Sequence, residues 1–322
     1  QIKSYLPSET PTEIERAKKA EITKDLKLNQ EGDIEEGAIQ FREEQSFGNL
    51  IGKDIKKGDI SGKDIKFEKE EGISTMTFTG DDSHIKINED EFKNIKKSSK
   101  DTPSYFKLDE KGEVIEADFT TNEERTNDFK LGGKELSVQG GTRVIYKEGK
   151  LTIKSKKQTA MFLKQKIDGK EKTDIISFLD GNGITIDGNT ISGTNFQLGG
   201  TKVWGVGGGV GSLTYDLKGR GYILGKESIA DWNNLEVTSH KNVLLMDEGI
   251  SFDSLTEGEN YIFTGPLGSD LLKAGGEAFD LEFKSGNDWV SLNAEENDRL
   301  KLSLKPNVHS EISIENREEG GF

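Results

Sequence analysis

Residues 129–133 read Phe-Lys-Leu-Gly-Gly, and 67 positions later residues 196–200 read Phe-Gln-Leu-Gly-Gly. A second Gly pair follows each stretch within about ten residues. Another 67 positions lead to Phe263, and a Gly pair again follows it. Three solenoid turns of about 22 residues would span this interval, because such repeats commonly measure about 20–30 residues. The recurrence predicts a β-solenoid, and a β-sandwich with recurrent hairpins is the alternative.

Outside this motif, short stretches alternate apolar and polar residues from about residue 32 onward. Such alternation predicts strands that bury one face and expose the other. Gly-bearing turns separate the stretches, which favours an all-β fold. The alternating apolar residues are Met76 and Phe78, Ile85 and Ile87, Val144 and Tyr146, Leu151 and Ile153, Ile184 and Ile186, Leu281 and Phe283, Leu300, Leu302 and Leu304, and Ile312 and Ile314.

The composition favours a thin fold over a compact globule. Only 31% of the 322 residues are hydrophobic and 32% are charged. A single core of this size usually draws on roughly 45–50% apolar residues. A stack of strands needs one inward row per segment, so an elongated solenoid can be built from fewer apolar residues.

The chain divides into two predicted regions. Residues 1–30 form a short N-terminal helix, a cap or leader, since residues 10–13 match a capping box and Ile22 and Leu26 fit helical spacing. Residues 31–322 form the solenoid, with a break predicted within the Lys-rich stretch 155–174. The Lys- and Ser-rich residues 88–104 predict a loop or short helix.

Charge and cysteine content exclude several functions. The net charge is −15, so the chain lacks the basic footprint of a nucleic-acid or anionic-lipid binder. No Cys is present, which excludes disulfides and thiolate chemistry. No apolar run approaches the ~20 residues of a transmembrane helix. The chain begins at Gln1 without an initiator Met, which predicts a processed portion of a longer protein.

The glycine run Gly205–Gly211 superficially resembles a phosphate-binding loop. No Gly-Lys-Ser/Thr follows it, and no long helical segment does either. Leu213, Tyr215 and Leu217 instead continue as a strand. The run therefore indicates strands that approach closely or bend.

A second stretch is rich in oxygen ligands. Its candidate calcium ligands are Asp180, Asn182, Asp187 and Asn189. The stretch does not match an EF-hand, because Ile184 and Ile191 occupy ligand positions of that loop. Two tight Asx-Gly turns joined by the strand 184–186 explain the residues without metal, and an adventitious calcium ion is the alternative. No other cofactor is predicted.

The sequence identifies no catalytic residues. The 59 acidic residues offer too many acid/base pairs to be informative, with Asp81, Asp82, Asp216 and Asp231 as formal candidates. The three histidines, His84, His240 and His309, lie in polar neighbourhoods and indicate surface positions. Tryptophan and tyrosine residues accumulate in the C-terminal half, at Trp204, Trp232, Trp289, Tyr215, Tyr222 and Tyr261. We predict that these rings fill the core, and binding of a sugar or a partner is the alternative.

Residues 106–122, Phe-Lys-Leu-Asp-Glu-Lys-Gly-Glu-Val-Ile-Glu-Ala-Asp-Phe-Thr-Thr-Asn, lead on to residues 141–154, Gly-Thr-Arg-Val-Ile-Tyr-Lys-Glu-Gly-Lys-Leu-Thr-Ile-Lys. In turn-and-strand pattern these stretches resemble repetitive β-rich secreted or surface proteins of uncultivated small-genome archaea and similar microbes. The resemblance covers about residues 100–155. It implies an extracellular β-solenoid with an attachment or shielding role, and it carries no catalytic residues.

We therefore expect an extracellular or cell-surface structural and adhesive module of a larger protein. Its expected partner is an envelope component, a glycan or a protein. Two alternatives remain open: an enzyme that uses carboxylates on envelope polysaccharide or peptidoglycan, and a groove that binds a lipid or a glycan. The sequence identifies no enzymatic activity.

Overall fold

The computed structural model describes residues 20–30, 33–52, 54–56, 58–81, 83–217 and 221–231 with their side chains. Beyond these it describes the backbone of residue 232 and of eight strands between residues 235 and 316. The chain divides into two compact units between Lys166 and Ile167.

The described part of the chain is all-β, with large antiparallel sheets and almost no helix. The helical pieces it contains are α1 (Gly48–Ile51) and a single 3-10 turn (Val206–Gly208). The first unit holds the following strands: β1 (Ala20–Leu28), β2 (Ile34–Phe41), β3 (Gln45–Ser46), β4 (Ile60–Lys63), β5 (Ile65–Glu70), β6 (Ile73–Phe78), β7 (Ser83–Ile87), β8 (Asp90–Ile95), β9 (Tyr105–Leu108), β10 (Val114–Thr120), β11 (Asn127–Leu131), β12 (Lys134–Val138), β13 (Arg143–Lys147), β14 (Lys150–Lys154) and β15 (Ala160–Ile167).

In the first unit, successive pairs of strands alternate between two sets. The first set, sheet A, runs β1-β2-β5-β6-β9-β10-β13-β14 with every pair antiparallel. The second set, sheet B, comprises β3-β4-β7-β8 and β11-β12-β15. Strand β11 packs beside β8, and Asn94 donates a hydrogen bond of 3.3 Å to Asn127 there. In sheet A each pair of strands therefore bonds to the pair before it and the pair after it, whereas the two parts of sheet B meet by packing of β8 against β11.

The second unit also builds two sets of paired strands. One runs β17-β18-β21-β22-β25-β26-β31-β28-β29, in which β25 and β26 are parallel and the other pairs antiparallel. The other runs β16-β19-β20-β23-β24, and β27 pairs with β30. The strands are β16 (Lys170–Phe178), β17 (Ile184–Asp187), β18 (Thr190–Gly193), β19 (Asn195–Leu198), β20 (Thr201–Gly205), β21 (Gly211–Tyr215), β22 (Gly221–Leu224), β23 (Ser228–Trp232), β24 (Leu235–Thr238), β25 (Val243–Met246), β26 (Asn260–Phe263), β27 (Ser269–Lys273), β28 (Phe279–Ser285), β29 (Asp288–Ala294), β30 (Arg299–Ser303) and β31 (Ser310–Asn316).

The two sets of the first unit share one aromatic core. Phe92 of sheet B lies 4.6 Å from Phe106 and 5.9 Å from Phe119, both of sheet A, between ring centroids. Phe129 of β11 joins them at 5.4 Å from Phe119. Such rings remove about 150–250 Å² each from water, so a few of them can hold two sheets together. A core of this kind compensates for the low apolar content.

The alternation predicted from sequence is confirmed where side chains are described. Met76, Phe78, Ile85, Ile87 and the remaining predicted inward residues up to Ile186 are buried, except that Tyr146 is half-buried. The residues between them face water or the sheet surface. For the alternations beyond residue 280 the strands are present, and their side chains lie outside the described residues.

Two local predictions need correction. Ile22 and Leu26 lie in strand β1 and not on a helix, because pairing with β2 provides a ladder that a lone helical turn lacks. Within residues 88–104, strand β8 occupies 90–95, and the loop is limited to the residues after it. The stretch 155–174, in which a break is predicted, contains β15 and the start of β16, and the boundary between the two compact units lies within it. Lys156 and Lys157 precede β15, and the other lysines of the stretch lie on strands. The proposed capping box, residues 10–13, lies outside the described residues.

The Phe-x-Leu-Gly-Gly motif forms a strand and the following hairpin turn in both copies. Phe129 and Phe196 are buried in β11 and β19, and the Gly pair after each forms the turn into the next strand. The third position is different, since Phe263 lies in β26, which pairs with β25 and β31. A 67-residue period therefore does not extend to residue 263 in the strand pairing.

Removing the centre of the aromatic core should be costly. Phe119→Ala deletes a fully buried ring that contacts three others, and we expect a loss of about 3–5 kcal/mol in the free energy of unfolding. The matched control is Phe162→Ala, since that ring in β15 is 52% exposed and should change stability by about 0.5 kcal/mol or less. Urea denaturation measures both, and equal losses would contradict the shared core.

Candidate functional site

At the turn ends of the first unit, the described residues line two clefts of interest. The larger, the acidic cleft, has a volume of about 900 Å³ and is bounded by the β1–β2 connection, α1, the β5–β6 turn and the β9–β10 turn. Its described lining includes three lysines and no aromatic residue. Its carboxylates are Asp33, Glu35, Glu36, Asp54, Glu70, Glu71 and Glu110.

Ion pairs and a buried lysine organise the acidic cleft. Lys69 is 9% exposed, and its Nζ donates to the carbonyl of Ile51 at 2.9 Å and to that of Leu50 at 3.3 Å. These carbonyls belong to the last turn of α1, where a cation is favourable. Hydrogen bonding to Lys27 lowers the pKa of the Glu36 carboxyl, so this group stays ionised. An ionised, paired carboxylate is unsuited to act as a general acid.

The smaller cleft, the turn cleft, has a volume of about 400 Å³. It lies where the β7–β8, β9–β10 and β11–β12 turns meet, next to Tyr146 of β13. Its lining combines aromatic, apolar and charged side chains. These side chains belong to Ile87, Asn88, Asp90, Phe92, Glu113, Lys130, Leu131 and Tyr146.

Burial changes the chemistry of one carboxyl in the turn cleft. Asp90 is half-buried, and desolvation raises the pKa of its carboxyl, with Lys130 acting in the opposite direction. Gly132 has φ +58°, and a Cβ at this position would lie 2.6 Å from the Tyr146 ring. Glycine therefore lets the ring of Tyr146 lie against the β11–β12 turn.

The outer face of sheet A carries a hydrogen-bonded network. Tyr105 donates to the Glu116 carboxylate at 2.6 Å, and Lys107 donates to the same oxygen at 3.3 Å. Arg143 forms a bidentate pair with Asp118 at 2.9 and 2.7 Å. Burial and the bond to Glu116 raise the pKa of Tyr105, and that bond lowers the pKa of Glu116. The network ties β9, β10 and β13 together across their strands.

The four predicted calcium ligands are not brought together. Asp180 accepts hydrogen bonds from the Asn182 backbone at 2.9 Å and from Thr194 at 2.7 Å, at one end of β17. Asp187 and Asn189 lie at the other end, where Asn189 donates to the Tyr215 carbonyl at 2.8 Å. In the part of the chain with described side chains, no group of three His, Asp or Glu side chains could hold a metal ion. An Asx turn thus accounts for Asp180 and Asn182, and a hydrogen bond to the neighbouring strand accounts for Asn189.

The formal acid candidates are dispersed. Asp81 is exposed near the end of β6, and Asp216 is buried directly after β21. Asp231 lies in β23, and its Oδ1 is a buried atom without a hydrogen-bond partner among the described residues. His84 pairs with Glu44 at 2.5 Å. Asp82, His240 and His309 lie outside the described residues.

Part of the predicted aromatic grouping forms core. Tyr215 and Tyr222 are 9% and 2% exposed, and their rings meet edge-on at 5.4 Å. Tyr222 donates a hydrogen bond of 2.5 Å to Asp174, and Lys172 lies about 5.5 Å from both ring centroids. Trp204 is half-buried in β20. The side chains of Trp232, Tyr261 and Trp289 lie outside the described residues.

The glycine run connects strands and bends closely. It joins β20 to β21, and a Cβ at Gly211 would lie 2.4 Å from the carbonyl oxygen of Trp204. The prediction of a close strand approach is confirmed. Strand β21 ends at Tyr215, so Leu217 lies beyond it, 62% exposed.

The chain matches no family model, no curated protein and no solved structure. Among the described residues no helix is long and apolar enough to cross a membrane.

Sequence reasoning missed both clefts and the network on sheet A. The turn cleft combines three turns that are separated along the chain, so no local pattern specifies that these turns meet. A partial signal was present, since the Gly pair after Phe129 forms one of its walls. The sequence contained no signal for the Asp90 carboxyl, because the burial of this group depends on the strands around it.

The network on sheet A should make stability depend on pH. Tyr105→Phe removes the main cause of the lowered pKa of Glu116, so that pKa should rise toward its usual value of about 4.3. A lowered folded pKa contributes stability above the unfolded pKa, and this contribution is lost as pH falls through the folded pKa. The destabilisation by Tyr105→Phe should therefore be largest at neutral pH and shrink below about pH 4.

Carboxyl titration by NMR and thermal unfolding between about pH 3 and 7 measure these effects. Tyr146→Phe is the control, because that ring lies on the opposite face of sheet A and leaves Glu116 untouched. An unchanged Glu116 pKa in Tyr105→Phe would contradict the assigned cause.

Close approach at the glycine run can be tested directly. Gly211→Ala forces a methyl group against the Trp204 carbonyl, and we expect a loss of about 1–3 kcal/mol. Gly181→Ala is the control, since open space surrounds that position. Thermal unfolding compares the two, and similar transition temperatures would show that glycine is dispensable at 211.

Proposed function

We propose that the chain is a structural and adhesive module of the cell exterior, part of a larger surface protein. The observation that carries the proposal is the alternation of strand pairs between two sets that share one phenylalanine core. Each added pair buries its inward row against its neighbours and exposes a polar outer face. A chain built this way can be lengthened without enlarging its core.

The proposed architecture is a stack of two-sheet coils, a solenoid in which each coil is also a small sandwich. Sheet A pairs begin at Ile65, Tyr105 and Arg143, so one coil takes about 40 residues. Strand pairing is local: β2 bonds to β5, β6 to β9 and β10 to β13. Local contacts of this kind are typical of quasi-linear repeat proteins. The net charge of −15 supports a solvated exterior that repels its own copies.

A second candidate is an enzyme acting on envelope polysaccharide. One observation favours it: the turn cleft places the carboxyls of Asp90 and Glu113 in the same lining as Phe92 and Tyr146. Raised carboxyl pKa values are typical of general acids, and Asp90 has one. The acidic cleft offers carboxylates without an aromatic wall, which supports the enzyme less.

Small-angle X-ray scattering of the full chain tests the architecture. A compact chain of this length has a radius of gyration of about 20 Å, and a stack of coils should exceed this clearly. A value near the compact expectation would contradict the stack.

Sedimentation with isolated microbial envelopes tests the attachment role in the same preparation. We expect the chain to co-sediment with envelopes and to release no soluble reducing sugar. Release of sugar that stops in Asp90→Asn would favour the enzyme, and absence of co-sedimentation would contradict adhesion.

A further inference from the structure

The turn cleft has an apolar floor beneath a polar rim. Ile87, Phe92 and Leu131 form the floor and are between 2% and 4% exposed, so they are anchored in the core. The half-buried ring of Tyr146 forms one wall. A ligand that fills this space must therefore present an apolar face to the floor and the ring.

The rim supplies hydrogen-bonding groups of both kinds. Asp90 offers a carboxyl, Asn88 an amide that can donate and accept, and Lys130 an ammonium group. Glu113 adds an exposed carboxylate from the facing turn. Such a mixture matches a ligand with several neutral hydroxyl groups around its edge.

The turns that carry these groups are held in place before any ligand binds. In the β9–β10 turn, Asp109 accepts hydrogen bonds of 2.9 Å from the backbones of Lys111 and Glu113. In the β7–β8 turn, the Asn88 backbone donates to the Asp59 carbonyl at 2.6 Å. Preorganised groups lose little conformational freedom on binding, so even a small ligand can be held.

Other ligand classes fit these walls less well. An acyl chain would bury the rim charges without hydrogen bonds, which is unfavourable. A phosphate or other anion would meet two carboxylates against one lysine in a chain of net charge −15. A metal ion lacks the required cluster of ligands among the described side chains.

We propose that the turn cleft binds one sugar unit of a neutral glycan. The ring of Tyr146 stacks on the apolar face of the sugar, and Asp90 and Asn88 hydrogen-bond its hydroxyl groups. The volume of about 400 Å³ is at the small end of ligand pockets and accommodates a mono- or disaccharide. This assignment rests on the proposed adhesive function and names the partner that it would contact.

The test uses the full chain labelled with ¹⁵N and titrated with glucose, galactose, mannose, N-acetylglucosamine and their disaccharides. We expect at least one sugar to shift amide signals of Asn88, Asp90 and residues 112–114 and 130–133, with a Kd on the order of 1 mM. Tyr146→Ala and, independently, the rim variant Asp90→Asn should each weaken binding about tenfold or more. Tyr105→Phe, on the outer face of sheet A, should bind as the unaltered chain does.

Several results would overturn the assignment. The first is that no sugar shifts the amide signals, and the second is that the shifted signals map outside the turn cleft. The third is that Tyr146→Ala and Asp90→Asn both bind sugar as tightly as the unaltered chain. The fourth is that laurate, and not a sugar, shifts the signals of the cleft. The dispersion of the amide signals shows whether each variant is folded. If Tyr146→Ala does not fold, Asp90→Asn still tests the assignment, because it changes only a group at the rim of the cleft.

Envelope sedimentation separates this inference from the broader function. Tyr146→Ala could lose the sugar-dependent shifts and still co-sediment with envelopes as the unaltered chain does. Adhesion would then stand, but the turn cleft would not be the contact with the envelope, and the assignment of a neutral glycan as partner would be overturned. If the sugar shifts are present and the unaltered chain does not co-sediment, the sugar site stands and the attachment function fails.

Discussion

Contact between phenylalanine rings of two alternating strand sets is the constraint on which the first unit depends. Phe92 from one set touches Phe106 and Phe119 from the other, and all three are almost fully buried. A chain with 31% hydrophobic residues cannot fill a wide core. It can fill a narrow one if each strand contributes an inward row and large rings close the space between the rows.

The same constraint creates the outward face and the turn ends. Because inward and outward side chains alternate, the residues next to the core rings on β9 and β10 point to the opposite face of the sheet. There Tyr105 contacts Glu116, and Asp118 contacts Arg143 of β13. Turns from both sets converge where the core ends. The turn cleft lies there, with buried core residues as its floor and turn residues as its rim.

Acidic residues have different roles according to their place in this frame. On the outer face, Asp118 pairs with a guanidinium and Glu116 with a phenol, and both contacts cross neighbouring strands. At Asp180 and Asp109 the carboxylates fasten turns by accepting backbone hydrogen bonds. In the turn cleft, Asp90 is desolvated and has a raised pKa. Abundance in composition thus says little about the function of any one carboxylate.

The sequence by itself determined that the fold is all-β, the inward rows such as Met76 and Phe78, and the hairpins at Phe129 and Phe196, because alternation and Gly turns are local properties. It misplaced Ile22 and Leu26 on a helix, since helical spacing and strand spacing overlap in short stretches and only the pairing with β2 decides between them. The pairing of strand sets, the two clefts and the environment of Asp90 were decided by tertiary structure. They bring together residues far apart in sequence, and no local pattern specifies which turns meet.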